Sequence, residues 1–245
     1  NKDAGPVKHI CLPGDILSKQ VVRPKELRKR YTDGLLDPLR LPAETLRTEH
    51  ATLGEFAYAG QYDQSPVPLG GGMFKFDRLK LDTPPDRVHM RCVRYWDKAG
   101  TDLGGAYTVG VLMGVDKERR YWVLDVVRGQ WDSRRRENVI RQTAEVDGRD
   151  VRIGVEQEPG SGGKESAENT IRNLAGFRVF AHAVGQSDGN KVLRADPYST
   201  QVNGGNVSLA HGEWNGEYLK ELQFFPYSTY KDQVDASSGA FAMLV

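Results

Sequence analysis

The chain has 245 residues, 38% apolar and 27% charged, enough to bury a substantial core as one large domain or one domain with an added segment. Its 34 basic and 33 acidic residues leave a formal net charge of +1, which excludes a globally basic body and confines any nucleic-acid surface to a local patch. Cys11 and Cys92 are too few and too far apart for a disulfide framework or a zinc site, which fits a reducing compartment. No apolar run reaches membrane-spanning length and no signal-peptide pattern opens the chain, so the expectation is a soluble intracellular protein.

Residues 1–84 hold HICLPG, RPKELRKRY, LPAETLRTEHATLGEFAYAGQY, SPVPLGGGMFKF and LDTPP, short pieces broken by Pro and Gly. One helix is expected in LPAETLRTEHATLGEFAYAGQY, with Pro42 near its first turn and Thr45, Leu46, Leu53 and Phe56 facing inward. The region shows no alternation of elements of its own. It reads as the tail end of a larger domain, or an arm and linker, ahead of a second domain over 85–245.

Beyond residue 85 the pattern becomes regular. VHMRCVRYW, YTVGVLMGV and YWVLDVVRG are predicted strands, the last two joined as a hairpin by the turn DKERR. RRRENVIRQTAEVDG is a predicted helix with Val139, Ile140, Thr143 and Val146 at helical spacing and Gly148 as its stop. VRIGVE follows as a strand, KESAENTIRNLAG as a helix, FRVFAHAV as a strand, then helical material. Two strand-helix-strand crossovers after an antiparallel hairpin imply an α/β fold: a mixed five-stranded sheet of hairpin plus parallel strands, with helices on both faces.

Three acids stand at the ends of these elements: Asp97 closes the first strand, Glu156 ends VRIGVE, and Asp232 opens the last helix. Ligands in crossover sheets gather beyond the carboxyl ends of strands, so the three can converge at one edge. Carboxylates without nearby His or Cys suit a hard ion such as Mg²⁺, and therefore phosphodiester chemistry. Each acid also has a bland alternative: a turn Asp in DKAGTDLGG, a solvated turn acid before Gly160, and a helix cap for either Asp232 or Asp235, which share a face. EPGSGGKES imitates a phosphate loop, but Glu158 stands where its first Gly belongs and Glu165 where its Ser or Thr belongs. A flexible loop beside the acids is the better reading, and no nucleotide is expected.

The motif order resembles the RNase H-like nuclease fold, and within it the C-terminal nuclease domain of the large terminase subunit of tailed bacteriophages. RYWDKAGTD, YTVGVLMGV, YWVLDVVRGQW, GVEQEPGSGGKES, KVLRADPYSTQVNGGNVSL and YSTYKDQVDASSGAF carry the likeness, and Gln61, Tyr62, Gln64 and Pro66 resemble the exit from such a subunit's ATPase domain. The resemblance implies a metal-dependent endonuclease that cuts concatemeric double-stranded DNA with Mg²⁺ or Mn²⁺, two ions being present with DNA bound. Asp97, Glu156 and Asp232 would be catalytic metal ligands and Asp235 an auxiliary one. Family members often carry two adjacent Asp residues where this chain has Lys231 and Asp232, and a further Asp where it has Ala106, for which Asp102 is the partial substitute at hand.

DNA contacts would come from Ser161, Lys164, Lys191 and Arg194, with Arg134, Arg135 and Arg136 as a charge run that a solvated helix face also explains. Trp122, Trp131, Trp214, Phe224 and Phe225 read as packing groups, and His182 and His211 as isolated residues rather than ligands. The implied partners are double-stranded DNA, the small terminase subunit and the portal, in the host cell cytoplasm, with the ATPase in a part of the subunit outside this chain and no membrane. The readings that stay open are another enzyme of this fold, such as a junction resolvase or transposase, and a non-catalytic DNA-binding or motor-docking module.

Overall fold

The computed structural model describes residues 9–16, 22–64, 72–99, 105–183 and 191–245. They belong to two units, Asn1–Gly70 and Gly71–Val245. In the first, α1 (Ala43–Gln61) follows Pro42, whose fixed φ and missing N–H suit a helix start. Leu46 and Tyr58 bury with Leu35 against Leu41 and Tyr62, and the rings of Tyr58 and Tyr62 stack at 5.0 Å. Thr45 and Leu53 are only half-buried, while the Phe56 side chain and Pro66 lie outside the described residues.

The second unit begins earlier than the composition suggests. Gly72 and Met73 donate to the carbonyls of Gln223 and Phe225 at 3.0 and 2.9 Å, and β1 (Lys80–Leu81) pairs in parallel with β7 (Val207–Leu209). Residues 72–84 therefore belong with the sheet unit rather than with an arm over 1–84. Their partners lie far downstream, which the local Pro and Gly breaks conceal.

The predicted strands form as β2 (Arg91–Asp97), β3 (Thr108–Val115), β4 (Tyr121–Gly129), β5 (Arg152–Gln157) and β6 (Arg178–Ala183). The sheet order is β1-β7-β4-β3-β2-β5-β6, so the expected mixed sheet is present but has, among the described residues, seven strands rather than five. β2, β3 and β4 are antiparallel; β5 runs parallel to both β2 and β6. β7 and β1 extend the β4 side and are too short to show alternation.

Alternation along the central strands assigns the two faces. Trp96, Ile153 and Val155 bury against Ile140 and Ala144 of α2 (Ser133–Asp147) and against Leu174, just past the end of α3 (Ser161–Asn173). Val93, Tyr95, Val109, Val111 and Met113 bury on the other face, under α4 (Lys191–Asn203), α5 (Asn215–Phe224) and α6 (Asp232–Leu244). Gly148 caps α2 at φ 89°, a left-handed conformation that favours glycine. The buried stripe of α2 is Arg136, Ile140, Ala144 and Asp147, whereas Val146 is 83% exposed. Polar residues take the inward positions because they find partners: Arg94 Nε lies 2.7 Å from Asp147, and Arg136 donates to the Ala99 carbonyl at 2.7 Å. Arg136 is thus unavailable to DNA, and Arg134 and Arg135 sit on the helix that covers the Trp96 face.

Candidate active site

Asp97 is the last residue of β2, and Glu156 the second-last of β5. The parallel register sets Trp96 opposite Val155, so Asp97 and Glu156 are the next step along both strands. With Trp96 and Val155 pointing into the α2–α3 core, the two acids emerge on the α6 face, at the carboxyl ends of their strands.

Three devices set the start of α6 above them. Tyr95, one step before Trp96, is buried beneath the helix, and α6 approaches so closely that a Cβ on Gly239 would stand 2.3 Å from the Tyr95 ring. The Tyr95 hydroxyl is tied to His182 Nδ1 at 2.9 Å. At the helix N-terminus, Glu221 of α5 accepts the backbone N–H groups of Gln233 and Val234 at 2.7 and 3.0 Å and the Gln233 amide at 2.9 Å. It thereby satisfies donors that an α-helix cannot pair internally. At the other end, Arg91 and Arg152 donate to the carbonyls of Leu244 and Met243, cations placed where the helix dipole favours them.

Asp232 and Asp235 project from this fixed first turn and are both buried. Asp232 Oδ2 accepts the Tyr107 N–H at 2.7 Å, and the Arg128 guanidinium lies 3.7 Å above the Tyr107 ring. Asp235 faces α4: Lys191 Nζ pairs with Oδ2, and Arg194 Nη2 lies 3.4 Å from Oδ1. The same guanidinium reaches Glu156 Oε1 through Nη1 at 3.3 Å, so it bridges an acid of the sheet and an acid of α6.

The charges of all four carboxylates are felt together. Burial, then the negative charges of Glu156, Asp235 and Asp232, push the Asp97 carboxyl well above its usual range, against the pull of Lys191. Burial also raises Asp235, with Lys191 and Arg194 opposing. Lys191 loses solvation by burial, yet Asp235, Asp97 and Asp232 hold it above its usual value.

The model of the Terminase RNaseH-like domain family matches residues 94–244, a span that takes in all four acids and both cations. The chain belongs to this family. Among solved structures, the nuclease domain of the phage P22 large terminase is similar to it, with 13% identity over 70% of this chain and 92% of that one and a TM-score of 0.53. The human cytomegalovirus terminase nuclease domain, Mn-soaked and inhibitor-bound, is similar too, with 15% identity, the same two coverages of 70% and 92%, and a TM-score of 0.52. Both likenesses concern the fold. No curated protein matches the chain.

Several sequence expectations change in detail on this terminase nuclease fold. Ser161 and Lys164 lie in the first turn of α3, which begins at Ser161, not in a loop ahead of a helix starting at Lys164. His182 has a partner in Tyr95, and His211 is exposed. Trp122, Phe224 and Phe225 are buried as packing groups, while Trp131 and Trp214 are half-buried. Asp102 lies outside the described residues, and Ala106 is half-buried. Glu221 lies in none of the family-like motifs, and Tyr95 and Tyr107 lie within them without a role that the motifs assign. Their roles arise only from tertiary contacts across α5, α6 and the sheet.

The donor set suits a hard divalent cation, being all carboxylate oxygen, with Asp97 pushed up by burial and then by the neighbouring negative charges. Among the described residues no three His, Cys, Asp or Glu side chains stand within reach of one ion. Lys191 and Arg194 hold the oxygens of Asp235 and one oxygen of Glu156. No helix among the described residues is long and apolar enough to cross a membrane.

Proposed function

We propose that the chain is the metal-dependent endonuclease of a phage DNA-packaging terminase, hydrolysing phosphodiester bonds of concatemeric double-stranded DNA. The observation that supports this reading is the placement of Asp97 and Glu156 at the carboxyl ends of adjacent parallel strands on the face covered by α6, with Arg194 bridging Glu156 to Asp235 of that helix. Asp97, Glu156 and Asp232 would hold Mg²⁺ or Mn²⁺, with Asp235 beside them, two ions being held once DNA is bound. Such ions supply an activated water and stabilise the departing 3′ oxygen. The Mn-soaked cytomegalovirus neighbour supports the choice of metal.

The chain's own residues do the remaining work. Tyr107 N–H fixes one oxygen of Asp232, Glu221 fixes the turn that bears Asp232 and Asp235, and Tyr95 and Gly239 set the spacing between sheet and helix. Ser161, Lys164, Lys191 and Arg194 are assigned to the DNA backbone, contacts that position the duplex without reading sequence. The small terminase subunit and the portal complete the partners, in the host cell cytoplasm. Family membership speaks against a junction resolvase or a transposase.

A non-catalytic docking module draws its one support from the acids already paired with Lys191 and Arg194. Plasmid cleavage separates the two readings. The parent should nick and linearise supercoiled DNA in Mn²⁺ or Mg²⁺, stop in EDTA, and lose at least about 100-fold in rate as Asp97→Ala, the scale on which an enzyme depends on a charge-stabilising group. Persistence of cutting at the parent rate in Asp97→Ala sinks the site assignment, and a parent that never cuts favours the docking module.

A further inference from the structure

The cations of α4 occupy two of the four acids assigned to the metal, Glu156 and Asp235. Lys191 and Arg194 are three apart on the first turn of α4 and share a face. Asp235, whose side chain is 2% exposed, has one oxygen committed to Lys191 and the other to Arg194. Arg194 also holds Glu156. A divalent ion set between Glu156 and Asp235 would compete for the same lone pairs and stand beside two positive charges, so both arrangements cannot persist together.

The helix itself is held in place. Ala195, Tyr198 and Val202 of α4 are buried in the core, and a hydroxyl chain runs from Tyr198 through Tyr218 to Ser237 of α6, with links of 2.7 and 2.9 Å. The side chains are what can move. Lys191 is 46% exposed and Arg194 23% exposed, on long flexible stems at the mouth of the site. Arg194 is only loosely engaged: its bonds to the acids are 3.3 and 3.4 Å long, and its Nε is buried without an acceptor among the described residues. A phosphate oxygen is the acceptor that a planar guanidinium suits best.

We propose that Lys191 and Arg194 exchange partners when the site loads: in the metal-free chain they neutralise Glu156 and Asp235, and once divalent cations take those acids the two side chains turn to backbone phosphates of duplex DNA. Metal loading and DNA capture are then coupled through the same two groups. A chain without metal then keeps Glu156 and Asp235 compensated and does not grip DNA firmly. This deepens the nuclease reading and rests on it.

The test compares the parent with Lys191→Met and Arg194→Met, which keep the apolar stems and remove the charges. Mn²⁺ affinity without DNA, read by EPR of the free ion, should rise about 3- to 10-fold in either variant, because a competing cation is gone. The Mn²⁺-induced rise in Tm should grow in parallel, since a ligand that binds only the folded chain stabilises it. With Ca²⁺ in place of the hydrolytic ion, affinity of the parent for a linear duplex should increase several-fold over EDTA, and that increase should vanish in the double variant. Unchanged or weaker Mn²⁺ binding in both single variants overturns the exchange while leaving the metal site intact. A parent that binds no Mn²⁺ overturns the nuclease reading and the exchange together.

Discussion

Asp97 and Glu156 are the next residues beyond the paired Trp96 and Val155 on adjacent parallel strands, and both emerge on the face covered by α6. Burial and the charge of Glu156 lead the forces that push the Asp97 carboxyl up. A carboxyl raised in the folded state contributes stability that is complete below its unfolded value and is lost as pH rises through the folded one. In EDTA at pH 8, Asp97→Asn should therefore be more stable than the parent, by on the order of 1 kcal/mol or about 2–4 °C in Tm, while losing the stabilisation that Mn²⁺ gives. A lower Tm for the variant in EDTA would show that Asp97 is a net stabiliser and not a strained member of the cluster.

Glu221, which caps the turn bearing Asp232 and Asp235, offers a second pH signature. Burial pushes it up to about 7 from an ordinary 4.5, against the pull of its hydrogen bonds from Gln233 and Val234. Its stabilising contribution is therefore full below about 4.5 and lost as pH rises through about 7, a change on the order of 3 kcal/mol. Glu221→Gln removes the titration and keeps an oxygen acceptor for the α6 amides. Thermal melts in EDTA at pH 5 and pH 8 should show a fall in Tm for the parent that exceeds the fall for Glu221→Gln by several degrees. Equal falls would mean that the capping carboxyl titrates as it does in the unfolded chain.

Local pattern carried the parts of this fold that are long and periodic. β4 runs over the whole of YWVLDVVRG and α6 opens at Asp232, because strand alternation and an acidic helix start are written in consecutive residues. β1 and β7 are two and three residues long, too short for a period to show. Residues 72–84 satisfy their backbone with partners such as Asn203 and Gln223, so nothing nearby marks their allegiance. Val146 keeps helical spacing with the other apolar residues of α2 yet stays exposed, because an Arg and an Asp take inward places once Arg94 and Ala99 offer them bonds. In the site, Asp97, Glu156 and Asp232 were readable as ends of elements and Asp235 as a neighbour of Asp232 on the first turn of α6. The pairing of Glu156 and Asp235 with Lys191 and Arg194 was not, since it requires the angle at which α4 crosses α6.

Gly239 is where α6 meets the sheet most closely, and its substitution tests whether that spacing matters to the chemistry. Gly239→Ala would place a methyl 2.3–2.5 Å from three carbons of the buried Tyr95 ring, so helix or ring has to shift. Overpacking of this kind costs about 1–3 kcal/mol. The Tm should fall by several degrees, and cleavage measured well below the new Tm should fall by more than the folded fraction explains, because Asp232 and Asp235 ride on the displaced helix. Full activity in the folded fraction would show that the carboxylates tolerate a looser sheet-to-helix distance.

Lys164 and Ser161 begin α3, a few residues beyond Glu156, where a helix N-terminus and a lysine can both meet phosphate. The Lys164 side chain is 68% exposed and only 3.9 Å from Glu168, a weak pair in solvent that leaves it available. A lysine on a phosphate displaces a condensed counterion, whereas a hydroxyl does not. Duplex affinity measured in Ca²⁺ across a salt series should thus separate the two. Lys164→Ala should weaken binding several-fold and reduce the slope of log K against log salt by about 1. Ser161→Ala should weaken binding less and leave the slope as it was. An unchanged slope in Lys164→Ala removes the lysine from the DNA path and leaves α4 as the source of phosphate contacts beside the acids.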